Sequence, residues 1–268
     1  MPVTQTIEVG GMPFEVVREL KSPQKPENPS QNRVYLASIG DSSVVAKVYA
    51  GHFWERRMRN ELSALELLAG LESVPPILAH AGNVAVFKYL KGTMLEDWMR
   101  EQFDEEILVV VGLNIAKCIQ GIHRSEVVHG DVKPSNILVE NTKIALVDYE
   151  LSGPPNYPRM PAPWGTRGYM APEVFENKSG YKADIWSLGV VLYKMLTDIK
   201  PFEGWQMTGR PASPSANPEL SRLILTMLQI NPEARPTIDA VVSELTALAH
   251  PAAQTPRSPS CTQDSQRS

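Results

Sequence analysis

Short runs of alternating apolar and polar side chains fill the first 90 or so residues of this 268-residue chain. Such alternation is typical of half-buried β-strands. The four candidate strands are residues 7–9, 14–17, 34–37 and 44–49. Gly10-Gly11 separates the first two, and the turn-forming residues Gly40, Asp41 and Ser42 separate the other two. The pattern therefore predicts two β-hairpins.

Beyond residue 60 the apolar positions take a helical period. Leu62, Leu65 and Leu68 recur at helical spacing, which predicts one helix after the second hairpin. Past residue 91, apolar runs separated by prolines fit amphipathic or buried helices. These runs are residues 107–122, 185–196, 220–228 and 238–248. The chain is therefore predicted to be α+β, with a small sheet-rich lobe at about residues 1–90 and a larger helical lobe at about 91–249.

Ser, Gln, Pro and Thr dominate the last segment, residues 250–268, which almost lacks large apolar side chains. Such a composition cannot bury enough apolar surface to fold, so we expect a disordered tail. Cys118 falls in a predicted helix and Cys261 in this tail, so no disulfide framework is indicated and a reducing compartment is expected.

The overall composition is that of a globular protein, with 43% hydrophobic residues. A net charge of −4 argues against a broad nucleic-acid-binding surface, which would be basic. The amino terminus has no basic segment followed by an apolar one, and no apolar run approaches the ~18 residues of a membrane span. We therefore expect no membrane span and a cytoplasmic location, either in its own cell or, by a route without a signal, in a host cytosol.

The stretch from His129 to Asn136 carries the chemistry of a phosphoryl-transfer site. Asp131 can orient and deprotonate a substrate hydroxyl, and Lys133 can neutralise the phosphoryl group in transfer. Asn136, five residues beyond Asp131, can bind Mg²⁺. After an apolar run at 143–147, Asp148 offers a second metal ligand.

Further motifs follow in a fixed order: Ala171-Pro172-Glu173, then Asp184-Ile185-Trp186-Ser187-Leu188-Gly189. The whole order resembles the eukaryotic-type (Hanks-type) serine/threonine protein kinase family over nearly the entire chain. The resemblance implies a bilobal protein-kinase-like fold that binds ATP between its lobes, uses Mg²⁺, and phosphorylates protein substrates.

The resemblance also gives a role to Lys47, which taken alone would be a solvated lysine at the end of a strand. In the family such a lysine holds the nucleotide phosphates and is fixed by a glutamate of the next helix. Glu55 and Glu66 are alternatives to Glu61 for that partner. Helix phase favours Glu61, because Leu65 and Leu68 lie on its face at i+4 and i+7.

Other site residues are implied by the resemblance. Thr166 would bridge Asp131 and Lys133 in the substrate loop, and Glu173 would form a buried ion pair with Arg235. The expected nucleotide-binding residues are Lys47, Glu61, Val34, Val45, Lys88, Leu90 and Leu138. Lys133 and the segment 164–170 are similar to the serine/threonine branch rather than the tyrosine branch.

The phosphate-covering loop departs from the family pattern, because residues 21–34 contain no glycine. The family's glycine positions fall on Glu27, Pro29 and Asn32. The loop either bulges away and leaves Lys47 and the metals to hold the nucleotide, or uses the charges of Lys21, Lys25 and Arg33. The third possibility is that residues 21–34 form a turn with no role in nucleotide binding.

Two further departures concern regulation. Where the family has Asp-Phe-Gly, this chain has Asp148-Tyr149-Glu150. Tyr149 can fill the apolar slot if its hydroxyl finds a partner, whereas Glu150 would restrict φ and add negative charge beside the metals. Gly130 replaces an arginine that normally pairs with a phosphorylated loop, which predicts activity independent of that phosphorylation.

The sequence thus predicts a serine/threonine protein kinase. A pseudokinase scaffold without turnover is the alternative, and phosphorylation of a non-protein hydroxyl is a third reading. Neither the protein substrate nor the oligomeric state follows from the sequence.

Overall fold

The computed structural model describes residues 6–21, 32–102, 104–156, 165–178, 180–202 and 211–250, with the side chain of Lys21 left out. The proposed glycine positions Glu27 and Pro29, the loop residue Lys25, and the tail beyond His250 lie outside these residues.

A six-stranded antiparallel sheet contains the amino-terminal strands, in the order β1-β2-β3-β4-β6-β5. The strands are β1 Thr6–Val9, β2 Met12–Lys21, β3 Arg33–Ile39, β4 Ser42–Val48, β5 Ile77–Ala81 and β6 Val84–Lys88. Both predicted hairpins are confirmed, with Val9 opposite Met12 and Ile39 opposite Ser42. Strand β5 was not predicted, because it is short and follows Pro75-Pro76.

Helix α1, Trp54–Leu67, connects β4 to β5. It begins seven positions before Glu61, where the sequence 55–60 is mostly charged and gives little apolar periodicity. Its buried residues Glu61, Ala64 and Leu65 lie on one face, as the helix phase predicted.

The large sheet separates two sets of apolar side chains. Val44 and Ala46 of β4 pack with Phe14 and Val86 in a small core on one face. Val45 of β4 packs instead against the main core. Because side chains alternate along a strand, Lys47 lies on the Val45 face, towards the rest of the molecule.

The second part of the chain is mainly helical. Its helices are α2 Leu95–Trp98, α3 Glu105–Arg124, α4 Tyr181–Thr197, α5 Pro218–Met227 and α6 Ile238–Ala249. A small sheet of β7 Thr93–Met94, β8 Ile137–Glu140 and β9 Lys143–Leu146 lies beside them. The side chains of Asp104, Asn217 and Thr237 cap the amino termini of α3, α5 and α6. The sheet-rich first part and helical second part show the α+β architecture that the sequence predicts.

By length and composition alone, helix α3 could cross a membrane, although the sequence analysis expected no span. It has 20 residues with a mean hydropathy of 1.3 in its most apolar window, and 56% of that window is buried inside the molecule. The helix packs against α4, α6 and β9. A Cβ atom at Gly112 would approach Leu192 Cδ2 of α4 to 2.6 Å, so the two helices are in close contact there. Its apolarity is that of a core helix.

Cys118 of α3 is partly buried and donates a hydrogen bond to the carbonyl of Ile144 at 3.4 Å. Burial raises the pKa of its thiol to about 11, so the thiolate is scarce at neutral pH.

Candidate active site

Three side chains converge on the loop between α3 and β8. Lys133 Nζ lies 2.6 Å from Asp131 Oδ2 and 2.7 Å from Thr166 Oγ1. The Thr166 hydroxyl donates to Asp131 Oδ1 at 3.0 Å, and its backbone N–H donates to the same oxygen at 3.2 Å. The structure thus places Thr166 between Asp131 and Lys133, where the sequence analysis expected it.

The backbone of this loop is held by Asp184 at the start of α4, which is fully buried. Asp184 accepts hydrogen bonds from the N–H groups of His129 and Gly130, both at 2.8 Å, and interacts with His123 Nε2 at 2.9 Å. The sequence analysis noted Asp184 within a motif but gave it no role. Its negative charge fixes the loop that carries Asp131.

His129 is also fully buried and stacks obliquely on Tyr149, with ring centroids 4.7 Å apart. Burial lowers the pKa of His129, although the charges of Asp184, Asp131 and Asp148 act in the opposite direction. A neutral imidazole is therefore favoured, and His129 serves the loop as a packed side chain.

The two candidate magnesium ligands lie at the adjoining ends of β8 and β9. Ile137 pairs with Leu146, and the carbonyl of Asn136 accepts a hydrogen bond from Val147 N–H at 3.0 Å. Asn136 and Asp148 are consequently neighbours in space although twelve positions apart in sequence.

The donor chemistry of this pair fits Mg²⁺. Asn136 Nδ2 donates to the carbonyl of Asp131 at 3.0 Å and to Asp131 Oδ2 at 3.2 Å, and none of the described residues donates to its Oδ1. Asn136 can therefore offer an amide oxygen and Asp148 a carboxylate oxygen, the hard ligands that Mg²⁺ prefers.

Lys47 is buried, with 6% of its surface exposed, and its ammonium group lies among three carboxylates. Its Nζ is 2.6 Å from Glu61 Oε2, 2.7 Å from Asp148 Oδ1 and 2.6 Å from Glu150 Oε1. Burial disfavours the charged amine, but the charges of Asp148, Glu150 and Glu61 outweigh it and raise the pKa of Lys47 well above its usual value. Lys47 is therefore a permanent cation at this site.

The carboxylate of Glu61 has further partners. Its Oε2 accepts from the Tyr49 hydroxyl at 2.7 Å, and its Oε1 accepts from the backbone N–H of Tyr149 at 3.1 Å. Burial raises the pKa of Glu61, whereas the charge of Lys47 lowers it. Glu61 rather than Glu55 or Glu66 is the residue of α1 that the structure brings to Lys47.

Two features of the segment Asp148-Tyr149-Glu150 bear on what the sequence predicted for it. The strained residue is Asp148, with a φ of 69°, whereas Glu150 is not among the residues with positive φ. Glu150 thus replaces glycine without backbone strain in this conformation. The expected restriction of φ at Glu150, compared with a glycine, stays a prediction. The Tyr149 hydroxyl is buried and makes no hydrogen bond with the described residues, so the partner that would make this tyrosine a mild change is not found there.

Glu150 is itself buried and makes contacts that the sequence analysis missed. Its Oε2 lies 2.8 Å from Arg57 Nη1 of α1, and its Oε1 accepts from Asn32 Nδ2. The backbone carbonyl of Glu150 accepts from Asn60 Nδ2 at 3.1 Å. Asn32, assigned by counting to a glycine position, points its side chain to Glu150 and to the Ala50 N–H at 3.1 Å. No local sequence signal could have joined these residues, because they come from separate elements.

The predicted nucleotide-binding residues fall in different places. Val34 lies opposite Lys47 in the β3–β4 pairing and so shares the Lys47 face, as does Val45. Lys88 lies opposite Val44, on the other face, and is exposed. Its side chain therefore does not lie on the Lys47 surface, and a contact of Lys88 with the nucleotide stays a prediction. Leu90 is half-buried in the connection between the two sheets, and Leu138 is half-buried on β8.

Arg235 and Glu173 form the buried ion pair that the resemblance implied. Arg235 Nη1 and Nη2 lie 2.7 and 2.8 Å from the two carboxylate oxygens. The pair joins the segment after Thr166 to the region before α6 and makes no contact with the carboxylates around Lys47.

Comparison with known proteins places this geometry in a family. Residues 77–245, more than half of the chain, match the protein kinase domain. A putative serine/threonine-protein kinase of Acanthamoeba polyphaga mimivirus is 33% identical over 154 residues, which cover 52% of this chain and 55% of that protein. The serine/threonine-protein kinase cds1 of Schizosaccharomyces pombe is 34% identical over 193 residues, 62% of this chain and 40% of its own length.

The Aurora kinase of Schizosaccharomyces pombe is 32% identical over 180 residues, 62% of this chain and 48% of that protein. The chain thus spans about half or less of the length of these relatives. The matched region includes Asp131, Lys133, Asn136, Asp148, Glu173 and Arg235. The chain belongs to the protein kinase family, of the Hanks type.

Proposed function

We propose that the chain is an active serine/threonine protein kinase that transfers the γ-phosphoryl group of ATP to a hydroxyl of a protein. The observation that carries the proposal is the arrangement of Lys133 and Thr166 around the carboxylate of Asp131. A catalytic carboxylate must be held in place, and Lys133 at 2.6 Å and the Thr166 hydroxyl at 3.0 Å hold that of Asp131.

Each residue has a role in this proposal. Asp131 accepts the proton of the acceptor hydroxyl as the phosphoryl group is transferred, and Lys133 offsets the charge of the phosphoryl oxygens. Asn136 and Asp148 would hold Mg²⁺, which supplies positive charge to the phosphates when bound. Lys47, fixed by Glu61, would bind the nucleotide phosphates.

Specificity for serine or threonine is supported by Lys133 and by its hydrogen bond to Thr166, features that resemble the serine/threonine branch. A protein substrate is supported by two relatives, the mimivirus protein and cds1, whose names describe them as serine/threonine-protein kinases.

A pseudokinase is the second candidate, and one observation favours it. The ammonium group of Lys47 has three N–H donors, and three carboxylates already surround it. A phosphate oxygen could reach Lys47 only by replacing one of them. If none is released, the site would support binding to partners but no turnover.

Phosphate transfer from labelled ATP to a generic basic protein, with Mg²⁺, tests the proposal. Asp131→Asn should keep the fold and lose roughly 10²–10⁴-fold in rate, the usual worth of a positioned base. Asp97→Asn is the matched control, because Asp97 is exposed and, among the described residues, its carboxylate pairs with the exposed Arg100 alone. Transfer by the Asp131 variant at the parental rate would remove Asp131 from catalysis. No transfer by the parent to any offered protein, with ATP bound, would favour the pseudokinase.

A further inference from the structure

Glu150 is a buried residue for which the proposed chemistry has no use, yet it binds cations and amides from three other parts of the chain. Only 7% of its surface is exposed. Its carboxylate lies against Lys47 of β4, Arg57 of α1 and Asn32 at the start of β3. A carboxylate is rarely buried unless its charge is matched, and here two cations match it.

The contacts between α1 and the segment 149–150 form a continuous row. Arg57 binds the side chain of Glu150, Asn60 binds its backbone carbonyl at 3.1 Å, and Glu61 binds the N–H of Tyr149 at 3.1 Å. Positions 57, 60 and 61 are i, i+3 and i+4, so they lie on one face of the helix. The same face presents Glu61 to Lys47.

Arg57 and Asn32 carry the connection further, to the loop between β4 and α1. Arg57 Nη2 donates to the carbonyl of Ala50, and the N–H of Ala50 donates to Asn32 Oδ1 at 3.1 Å. Glu150 therefore ties the start of β3, the β4–α1 loop, α1 and the segment after β9 to one another.

We propose that Glu150 is a positioning residue that fastens α1 against the segment after Asp148 and so keeps the Lys47–Glu61 pair assembled without phosphorylation of the substrate loop. The proposal rests on the proposed kinase function and adds the regulation of its site. Gly130 has no side chain to receive a phosphorylated loop. The carboxylate of Glu150 supplies a fixed anion to α1 instead, through Arg57.

The second cation explains how Glu150 can stay in place during turnover. When Lys47 moves to a phosphate, Glu150 still has Arg57 at 2.8 Å and the amide of Asn32 as partners. Its charge remains paired, and α1 remains attached.

Hydrogen–deuterium exchange tests the attachment without reference to activity. In Glu150→Gln and Arg57→Met, amides of α1 (Trp54–Leu67) should exchange roughly tenfold faster or more, because each substitution removes the buried ion pair that joins α1 to Glu150. Amides of α3 should be unchanged. Glu101→Gln, a substitution of an exposed glutamate, is the control for a lost charge. Arg57→Lys keeps the charge and should retain most of the protection.

Steady-state kinetics provide a second test of the proposal. In Glu150→Gln, kcat should fall about tenfold or more while KM for ATP changes much less. This result is expected if a smaller fraction of the protein molecules has the Lys47–Glu61 pair assembled. The double variant Glu150→Gln/Arg57→Met should be little worse than either single variant, because the two residues act together.

Unchanged α1 exchange in both single variants would overturn the proposal. Equal acceleration in α1 and α3 would also overturn it, since Glu150 would then support the whole fold rather than the position of α1. If the parent protein transfers no phosphate, the proposed function fails, and the exchange experiment still decides whether Glu150 fastens α1.

Discussion

Arg235 holds the carboxylate of Glu173 through two parallel hydrogen bonds, although 62 positions separate the two residues. The side chain of Arg235 is fully buried and its guanidinium lies 4.9 Å from the centre of the Trp186 ring. It also donates to the carbonyls of Gln229 and Ile230. The pair thus joins the segment Pro172–Glu176 to the end of the helical part through one desolvated cation.

Glu173→Gln should lower the free energy of unfolding by roughly 3–5 kcal/mol, because it leaves the buried charge of Arg235 without a counter-ion. Glu244→Gln is the matched control. Glu244 pairs with Arg222, whose side chain is 61% exposed, so its loss should cost less than about 1 kcal/mol. Denaturant unfolding of the two variants measures the difference, and equal losses would mean that the Arg235 pair adds nothing beyond an exposed one.

Lys47→Met should abolish turnover and also destabilise the fold. The loss of stability is expected because three carboxylates would lose their shared cation. Burial already raises the pKa of Glu61, and loss of Lys47 would raise it further. A carboxyl with a raised folded-state pKa contributes stability below its unfolded pKa and loses it as pH rises through the folded pKa.

The stability deficit of Lys47→Met should therefore be larger near neutrality than in mild acid. Thermal unfolding of parent and variant across that range measures it. A deficit that grows towards acid would contradict the assignment of Lys47 as the counter-ion of this cluster.

Tyr149→Phe should raise the free energy of unfolding by about 1–3 kcal/mol, because the buried hydroxyl has no hydrogen bond with the described residues and its desolvation is uncompensated. Tyr49→Phe gives the opposite sign, since the Tyr49 hydroxyl donates to Glu61 at 2.7 Å. Its loss should destabilise the protein by about 1.5–3 kcal/mol, as for other hydrogen bonds to charged groups. Destabilisation by both variants would show that the Tyr149 hydroxyl is hydrogen-bonded in solution.

ATP binding should depend steeply on Mg²⁺. Glu61, Asp148 and Glu150 carry three negative charges, while Lys47 and Arg57 supply two positive ones, so the unmetallated site has a negative excess. Phosphates would be repelled until Mg²⁺ binds at Asn136 and Asp148. Calorimetric titration with Mg²⁺ and with EDTA compares the affinities, and Asp148→Asn should reduce the difference. If the parent protein binds ATP with equal affinity with and without Mg²⁺, a metal site at Asn136 and Asp148 that attracts the phosphates is excluded.

Phosphatase treatment should leave the initial rate nearly unchanged. Gly130 offers no cation to a phosphorylated loop, and the loop residue Thr166 already has its hydroxyl bound to Asp131 and Lys133. The reference is the initial rate of the untreated protein. Mass spectrometry determines whether that protein is phosphorylated. A sharp fall that returns after self-phosphorylation would show that another basic group receives a phosphate.

The catalytic loop could be predicted because its chemistry is local. Asp131, Lys133 and Asn136 lie within six consecutive residues, so their spacing alone brings them together. Glu61 could be chosen over its neighbours because helix phase is also a local property. The hairpins followed from alternation and from their glycine turns.

The contacts of Glu150 could not be predicted in the same way. They depend on Arg57, 93 positions away, and on Asn32, 118 positions away, so only the packing of α1 against the segment after β9 brings these side chains together. The sequence marked Glu150 as unusual for its restriction of φ and for its negative charge beside the metals, and neither reason indicated its contacts with Arg57 and Asn32. The face on which the side chain of Lys88 lies could not be predicted either, because it follows from strand register, which no single segment determines.

Helix α3 has a consequence for biosynthesis. At 20 residues it is about 30 Å long, which matches the hydrocarbon thickness of a bilayer. Its apolar surface is covered by α4 and α6, which leave the ribosome much later than α3 itself. A nascent chain that has not reached residue 238 therefore carries an uncovered apolar helix, the kind of surface that chaperones recognise and that causes aggregation. Helix α6 thus completes the burial of α3. Folding of the helical part must therefore await nearly complete synthesis of the domain.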